Sequence, residues 1–237
     1  MKLSIVIPTL DEAEAIVATL SSLQALRAQG HEVIVSDGGS TDATVALAQG
    51  LIDRALADRV LIGAAGRARQ MNAGAAAACG DILLFLHADT RLPEDAANAI
   101  EAALLSKLWG RFDVDITGRS GVLRVVAALM NLRSRLTGIA TGDQAIFVSQ
   151  GAFAAAGGYP EQPLMEDIEF SRRLKILGAP ACLRERVITS GRRWEVHGVW
   201  RTILLMWRLR FDYWRGVPAA RLADRYCPQK SLREAVE

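Results

Sequence analysis

The chain has 237 residues, of which 51% are apolar and 23% are charged, and its formal net charge at pH 7 is +2. This composition is typical of a globular protein, and the nearly balanced charge argues against a general nucleic-acid-binding protein. The three cysteines, Cys79, Cys182 and Cys227, form no metal-binding spacing, and the apolar run at residues 3–7 is too short for a signal peptide. We therefore expect a protein of the reducing cytoplasm without a membrane-spanning segment.

The first half of the chain alternates predicted strands with predicted helices. In chain order these elements are strand 3–10, helix 11–28, strand 32–36, a helix from Thr41 or Asp42 to Ala48, strand 60–62, helix 67–79 and strand 82–86. Pro8 closes the first strand and Gly30 ends the first helix. Repeated βαβ alternation predicts an α/β fold with a mostly parallel, doubly wound sheet and helices on both faces.

The strand at 82–86 is the centre of this arrangement. Its five apolar residues leave no polar face, as in a parallel strand that is covered on both sides. His87 and Asp89 follow at once, so Asp89 is expected just beyond the carboxyl end of the strand, where open α/β sheets bind their ligands. Taken alone, an acid in this position is more often a turn residue, or the cap of a helix beginning at Pro93, than a metal ligand.

The second half of the chain has a less regular rhythm. Its predicted elements are helix 94–108, strand 110–117, helix 123–136, a turn leading into a strand at 141–148, a loop at 157–160 and a helix at 165–177. No internal repeat or low-complexity linker interrupts the sequence, so one domain is the simplest prediction.

A stripe of apolar residues marks the predicted helix at 194–218. Its members recur every three or four residues: Val196, Trp200, Ile203, Trp207, Phe211 and Trp214. Such spacing places them on one side of a helix, with Arg201, Arg208, Asp212 and Arg215 on the other. The simpler interpretation is packing against the chain's own domain. The alternative is a helix that lies on a membrane surface, where tryptophan and arginine are favoured.

Acidic side chains follow several predicted strands and loops. They are Asp37 with Asp42, then Asp89, and then Glu166 with Asp167. Repeated acids at such positions indicate a bound cation, a ribose or a proton-transfer partner. Structural interpretations stay open, because Asp37 before two glycines can form an Asx turn, and acids such as Glu166 and Asp167 stabilise a helix N-terminus. Neither the glycine pattern of dinucleotide-binding folds nor that of P-loops is present.

Four motifs, in this order, resemble those of family 2 glycosyltransferases of GT-A fold. They are IVIPTLDE at residues 5–12, VSDGGSTD at 35–42, His87-Ala88-Asp89, and Met165-Glu166-Asp167. A closer similarity, in GRARQMN at 66–72 and SGRRW at 190–194, is to the small bacterial glycosyltransferase-like group described as radical-SAM/selenodomain-associated. The resemblance implies one GT-A domain over 1–237, with a nucleotide-binding half at 1–110, an acceptor-side half at 111–195 and a C-terminal helix and tail at 196–237.

The resemblance also implies a metal-dependent, inverting, hexosyltransferase-like enzyme that uses a nucleotide-diphosphate sugar, with a UDP-sugar as the expected donor. The family's nucleotide-binding positions match Pro8, Thr9, Glu12, Asp37 and Arg67.

The last acid of the family's DxD metal motif matches Asp89, whereas its first acid is replaced by His87. One carboxylate fewer is expected to weaken metal binding and to favour Mn²⁺ over Mg²⁺. His87 is either a metal ligand or a buried histidine.

The remaining predicted roles concern the reaction itself. Asp167 matches the family's catalytic base, with Glu166 beside it as the alternative. Arg192, Arg193 and Trp194 are expected to contact the pyrophosphate or the acceptor. The acceptor is a small molecule or is lipid-linked, and contact of the C-terminal helix with the inner face of the membrane stays open, as does the oligomeric state.

Two other functions compete with glycosyl transfer. One is a non-catalytic nucleotide-binding or regulatory module, which needs no acceptor base. The other is a nucleotidyltransferase, whose glycine-rich, lysine-bearing loop is missing after the first strand of this chain.

Overall fold

The computed structural model describes residues 1–53 and 57–226. Within these ranges one sheet contains the strands β1 (Leu3–Thr9), β2 (Glu32–Asp37), β3 (Arg59–Ile62), β4 (Ile82–Phe85), β5 (Thr90–Arg91), β6 (Trp109–Thr117), β7 (Phe147–Ser149) and β8 (Ala181–Ser190). The helices of the same ranges are α1 (Ala13–Ser22), α2 (Gln24–Ala28), α3 (Thr44–Asp53), α4 (Arg67–Ala77), α5 (Ala96–Leu104), α6 (Val122–Thr137), α7 (Gln150–Ala155), α8 (Glu166–Leu177), α9 (Arg192–His197), α10 (Val199–Trp214) and α11 (Ala219–Tyr226). Cys227 and the end of the predicted tail lie outside the described residues.

The strand order of the sheet is β3-β2-β1-β4-β7-β6-β8-β5. The strands from β3 to β4 are parallel to one another, as are β6 and β8. In contrast, β7 runs antiparallel to both of its neighbours, and β5 runs antiparallel to β8. The predicted α/β fold with a mostly parallel sheet is confirmed. Strand order reverses between β1 and β4, and α/β sheets bind ligands beyond the carboxyl ends of strands at such a switch point.

The central strands are buried on both faces. Ile5 and Ile7 of β1 belong to one apolar layer with Leu84, whereas Val6 belongs to the other layer with Leu83. All five side chains are fully buried, which is why these strands show continuous apolar runs rather than alternation. Burial of each side chain contributes about 1.5–3 kcal/mol to the stability of the fold, because it removes apolar surface from water.

Helix α4 packs closely onto β1 through Gly74. A Cβ atom at this glycine would lie 2.3 Å from Cγ1 of Val6, so a larger residue would clash with the strand. Because α4 follows β3, its first residue, Arg67, lies at the edge of the sheet where the parallel strands end.

Several element boundaries differ from the prediction. The helix predicted at 11–28 breaks at Leu23, and the one predicted at 94–108 is shorter at both ends. The N-cap position of α5 is occupied by Asp95, so Asp89 does not cap that helix. Strands β5 and β8 were not predicted. In β8 the consecutive charged residues Arg184, Glu185 and Arg186 hide the apolar period of a strand.

The predicted helix at 194–218 is divided in two. Gly198, with a φ of +82°, separates α9 from α10. The buried residues of α10 are Thr202 and Leu209, whereas Trp200, Trp207 and most of the predicted apolar stripe are exposed to solvent. Packing of this stripe against the chain's own domain was therefore the wrong interpretation. Within residues 1–53 and 57–226, every helix falls short of the length and apolar content that crossing a membrane requires.

Candidate active site

A cavity of about 290 Å³ lies beyond the carboxyl ends of β1 and β4. Ten of the twelve predicted site residues line it: Pro8, Glu12, Arg67, His87, Asp89, Glu166, Asp167, Arg192, Arg193 and Trp194. Thr9 and Asp37 do not line this cavity. Residues separated by more than a hundred positions in the sequence thus meet at the switch point of the sheet.

Asp37 is buried in the turn that follows β2. Its Oδ1 accepts hydrogen bonds from the backbone N–H groups of Gly39 and Ser40, both at 2.8 Å. Its Oδ2 accepts from the hydroxyl groups of Thr9, at 3.0 Å, and Ser40. The carboxylate therefore holds the turn, as the Asx-turn interpretation expects. A nucleotide contact of Asp37 stays a prediction.

Gln70 of α4 joins the ends of β1 and β2, a role that the sequence analysis missed. Its Nε2 donates hydrogen bonds to the carbonyl oxygens of Thr9, at 2.6 Å, and Ser36, at 3.0 Å. A Cβ atom at Gly38 would lie 2.9 Å from Cδ of Gln70, so the glycine after Asp37 leaves room for this amide. In the sequence, only the GRARQMN motif, which contains Gln70, could have indicated this role.

Glu166 and Asp167 begin helix α8 at the wall of the cavity. Met165 before them has a left-handed backbone with a φ of +63°, a conformation that costs a non-glycine residue free energy and that is common at functional sites. Oδ2 of Asp167 accepts a hydrogen bond from the N–H of Gly142 at 3.0 Å, and Oε1 of Glu166 lies 3.4 Å from Nη1 of Arg67.

The pKa of Asp167 is raised to about 6. Burial is the main cause, followed by the negative charge of Glu166, and both outweigh the hydrogen bond from Gly142 and the charge of Arg67. A partly desolvated carboxylate with a pKa near neutrality is suited to accepting a proton from a substrate hydroxyl.

Asp143 is a further acid of the cavity that the sequence analysis missed. It lies in the short 3-10 helix Gly142–Gln144, with its Oδ1 3.2 Å from Nδ1 of His87. Burial acts to raise the pKa of Asp143, but the hydrogen bond from His87 and the charges of His87, Arg67 and Arg133 lower it overall. An acid after a glycine in a loop was its only sequence signal.

His87 lies at the wall of the cavity beside Asp143 and Gly142. One ring nitrogen, Nδ1, is engaged by Asp143. The other, Nε2, is buried and has no hydrogen-bond partner among the described residues, and a Cβ atom at Gly142 would lie only 2.4 Å from it. Metal ligation by His87 and the buried-histidine interpretation both stay predictions.

Asp89 faces the cavity and is weakly engaged by the protein. Among the described residues, its one hydrogen bond is a long contact of 3.5 Å from the hydroxyl of Thr90. Glu12 lies nearby: burial, and then the charge of Asp89, raise the pKa of Glu12 despite its ion pair with Arg192.

Arg192 connects helix α9 to the start of α1. Its Nη2 lies 3.2 Å from Oε2 of Glu12, and its Nη1 lies 3.0 Å from Oε2 of Glu14. The guanidinium of Arg193 stacks over the ring of Tyr226, 3.7 Å from the ring centroid. Both arginines line the cavity, and a phosphate contact by either stays a prediction.

The last helices supply lining residues that were not predicted. They are Thr202, Met206 and Arg210 of α10 and Tyr226 of α11. Sequence reasoning missed the three residues of α10 because they lie on the side of that helix opposite the apolar stripe that drew attention to it.

Asp89 and Glu12 are the acids of this cavity that would hold a divalent cation, together with a substrate. Among the described residues, no group of three or more His, Cys, Asp or Glu side chains is arranged to hold a metal ion. Asp89, with a nearly unengaged carboxylate, and Glu12 supply oxygen ligands of the kind that Mg²⁺ and Mn²⁺ prefer. Such ions are commonly bound by one or two carboxylates together with substrate phosphates and water.

Comparisons with known proteins identify the family of the chain. The model of the family Glycosyl transferase family 2 matches residues 4–106. An uncharacterized glycosyltransferase of Mycobacterium tuberculosis is 32% identical over 191 residues, which cover 76% of this chain and 71% of that protein. A PGL/p-HBAD biosynthesis glycosyltransferase of Mycobacterium bovis is 33% identical over 165 residues, which cover 66% of this chain and 62% of that protein.

Two solved structures share the fold. Residues 1–349 of S. aureus TarS, in complex with UDP, superpose with a TM-score of 0.63 at 20% identity over 80% of this chain and 60% of that chain. The mannosyltransferase PcManGT from Pyrobaculum calidifontis, in complex with GDP-Man and Mn²⁺, gives a TM-score of 0.61 at 21% identity over 79% of this chain and 56% of that chain. The family model and the relatives show that this chain is a glycosyltransferase and belongs to glycosyltransferase family 2.

Proposed function

We propose that this glycosyltransferase transfers a hexose from a UDP-sugar to an acceptor hydroxyl, with inversion at the anomeric carbon and with a divalent cation at Asp89. The observation that carries the proposal is the meeting of Asp89 and Asp167 in one cavity at the switch point of the sheet. The fold is shared with a protein in complex with UDP and with one in complex with GDP-Man and Mn²⁺. Both facts support a nucleotide-sugar donor and a cation.

The proposed reaction is a single displacement. The acceptor hydroxyl loses its proton to Asp167, and its oxygen forms a bond to the anomeric carbon. The bond from that carbon to the β-phosphate oxygen breaks, and its electron pair leaves with the nucleoside diphosphate. Attack on the face opposite the leaving group inverts the anomeric configuration.

Negative charge that develops on the leaving diphosphate must be stabilised. A bound divalent cation supplies this Lewis-acid stabilisation when it is present. In the chain itself, Arg67, Arg192 and Arg193 line the cavity, and guanidinium groups bind phosphate oxygens in a bidentate manner. Release of Arg192 from Glu12 and Glu14 on donor binding would make its charge available.

Finer parts of the proposal rest on the sequence. They are the contacts of Pro8, Thr9, Glu12 and Asp37 with the nucleotide, membership of the radical-SAM/selenodomain-associated group, and a cytoplasmic location. The acceptor is either a small molecule or a lipid-linked one. Neither a non-catalytic binding module nor a nucleotidyltransferase has an observation in its favour.

Calorimetry of UDP binding tests the donor and the cation together. We expect Mn²⁺ to strengthen UDP binding to the natural protein and to have little effect on Asp89→Ala, because that variant loses a carboxylate ligand. Asp95→Ala is the matched control, since Asp95 is an exposed acid at the start of α5 that does not line the cavity. Equal UDP affinity with and without Mn²⁺ in the natural protein would overturn the proposed cation.

A further inference from the structure

Helix α10 presents an exposed aromatic face. Trp200 is 68% exposed, Trp207 is 67% exposed and Trp214 is 81% exposed, and Leu204 and Phe211 lie on the same side. These five residues recur every three or four positions along 16 helical residues, so they form one stripe about 24 Å long. Soluble proteins rarely expose a continuous apolar surface of this kind unless another molecule covers it.

A row of arginines borders this stripe, and does not lie on the opposite side of the helix as predicted. Arg201, Arg208 and Arg215 recur every seven residues, which places them together along one edge of the stripe, and all three are exposed. Within residues 1–53 and 57–226, neither Arg201 nor Arg208 forms an ion pair or hydrogen bond. The one acid of α10, Asp212, is paired with Arg225 at 2.8 Å. This edge of the stripe is therefore positively charged, and no acid of α10 is free to neutralise it.

The opposite side of α10 belongs to the cavity. Thr202, Met206 and Arg210 line it, and Leu209 anchors the helix in an apolar cluster with Met165. One helix thus separates the candidate active site from the exposed stripe. Anything that covers the stripe lies about one helix diameter, on the order of 10 Å, from the cavity.

We propose that α10 is an interfacial helix that docks the protein on an anionic phospholipid surface. Tryptophan and phenylalanine enter the boundary between headgroups and acyl chains, and the arginine row pairs with lipid phosphates. Charge favours lipid over a second copy of the chain, because pairing two α10 faces would bring two arginine rows together without acidic partners. The test needs neither donor nor acceptor, so its outcome is independent of the proposed function.

Vesicle cosedimentation tests this surface. We expect the protein to bind vesicles that contain about one third phosphatidylglycerol in phosphatidylcholine, and to bind pure phosphatidylcholine much more weakly. The double variant Arg201→Gln with Arg208→Gln should bind anionic vesicles about 30-fold more weakly at low salt, since each arginine near such a surface contributes roughly fivefold. Trp207→Glu with Trp214→Glu should lower binding at least about tenfold, also at high salt, because it removes apolar insertion.

The control adds the same two negative charges elsewhere. Leu105 and Ile176 are as exposed as the stripe residues but lie on α8 or beside α5, away from α10. Leu105→Glu with Ile176→Glu should therefore bind vesicles like the natural protein. An unchanged circular dichroism spectrum and an unchanged midpoint of thermal unfolding would show that each variant is folded.

Three outcomes would overturn the proposal. The first is no binding of the natural protein to anionic vesicles. The second is an equal loss of vesicle binding in the α10 tryptophan variant and in the Leu105 and Ile176 control. Net charge alone, and not the aromatic stripe, would then explain the loss. The third is a stable dimer in solution that becomes monomeric in the tryptophan variant, since the stripe would then be a subunit interface.

Discussion

At the scale of single residues, the acids of the site differ in how far the fold already engages them. The carboxylate of Asp37 accepts four hydrogen bonds, three within its own turn and one from Thr9 of β1. Asp167 accepts two backbone hydrogen bonds and still has a raised pKa, because burial and Glu166 oppose its charge. In the part of the chain that the structure describes, Asp89 accepts one long hydrogen bond, from Thr90. We therefore predict three different roles for these three aspartates. Asp37 holds the turn, Asp167 accepts a proton and Asp89 binds the cation.

Replacing Asp167 with asparagine should abolish sugar transfer and leave donor binding nearly unchanged. An amide keeps the size of the carboxylate but cannot accept the proton of the attacking hydroxyl, and loss of a general base costs on the order of 10² to 10⁴ in rate. Donor turnover with an acceptor, and UDP affinity by calorimetry, measure the two effects separately.

The neighbouring acids provide the controls for this variant. Glu166→Gln tests the alternative base, and Glu169→Gln tests an acid of the same helical turn that does not line the cavity. Near-normal turnover in Asp167→Asn together with an inactive Glu166→Gln would shift the catalytic role by one residue. Normal turnover in both Asp167→Asn and Glu166→Gln would show that these acids only stabilise the N-terminus of the helix.

The raised pKa of Asp167 predicts an acid limb in the pH profile. Below about pH 6 the group is protonated and cannot act as a base, so kcat/KM should fall about tenfold per pH unit. A profile that stays flat down to pH 5, well below the raised pKa, would contradict this role.

A fall in pH through this pKa should stabilise the folded protein, although it should lower the activity. The pKa of Asp167 in the folded protein is raised above its ordinary value of 3.8. The folded state therefore binds more protons than the unfolded state between these two pH values, and the contribution of this group to stability rises as the pH falls through about 6. Comparison of the pH dependence of unfolding in the natural protein and in Asp167→Asn isolates this contribution.

Asp37→Ala should destabilise the protein even without any ligand. The substitution leaves two backbone N–H groups and two hydroxyls without their acceptor, and each buried unsatisfied donor costs about 1–3 kcal/mol unless water replaces the acceptor. Urea unfolding measures the loss. Unchanged stability with weakened UDP binding would instead assign Asp37 to the nucleotide alone.

At the scale of elements, the contact between α4 and β1 sets the position of Arg67. Gly74→Ala should lower the free energy of unfolding by about 1–3 kcal/mol, because the new Cβ atom would lie 2.3 Å from Val6. Gly50→Ala in α3 is the matched control, since nothing lies within 4 Å of its Cβ position and alanine favours a helix by about 0.5–1 kcal/mol. Equal effects of the two substitutions in urea unfolding would contradict the proposed close contact.

At the scale of the whole molecule, one sheet joins the two predicted halves of the chain. Strand β7, from the second half, lies between β4 and β6, and the apolar layers on both faces combine residues of both halves. We therefore expect a single cooperative unfolding transition, with the same midpoint by tryptophan fluorescence and by far-ultraviolet circular dichroism. Two separate midpoints would show that the halves are independent domains.

The sequence alone determined the first half of the fold and most of the predicted residues that line the cavity. The apolar runs of β1, β2 and β4 are readable because strands that are buried on both faces need continuous apolar residues. Asp89, Glu166 and Asp167 could be predicted because acids at the ends of such strands and in ordered motifs are chemically conspicuous.

Only the tertiary structure decided the remaining features. Strand β8 depends on pairing with β6, which no local period reveals through its charged run. Likewise, Asp143 enters the site through a contact with His87 across more than fifty residues. The outward direction of the tryptophans of α10 also lay beyond the sequence, because periodicity shows that a helix has an apolar side but not whether the chain covers that side.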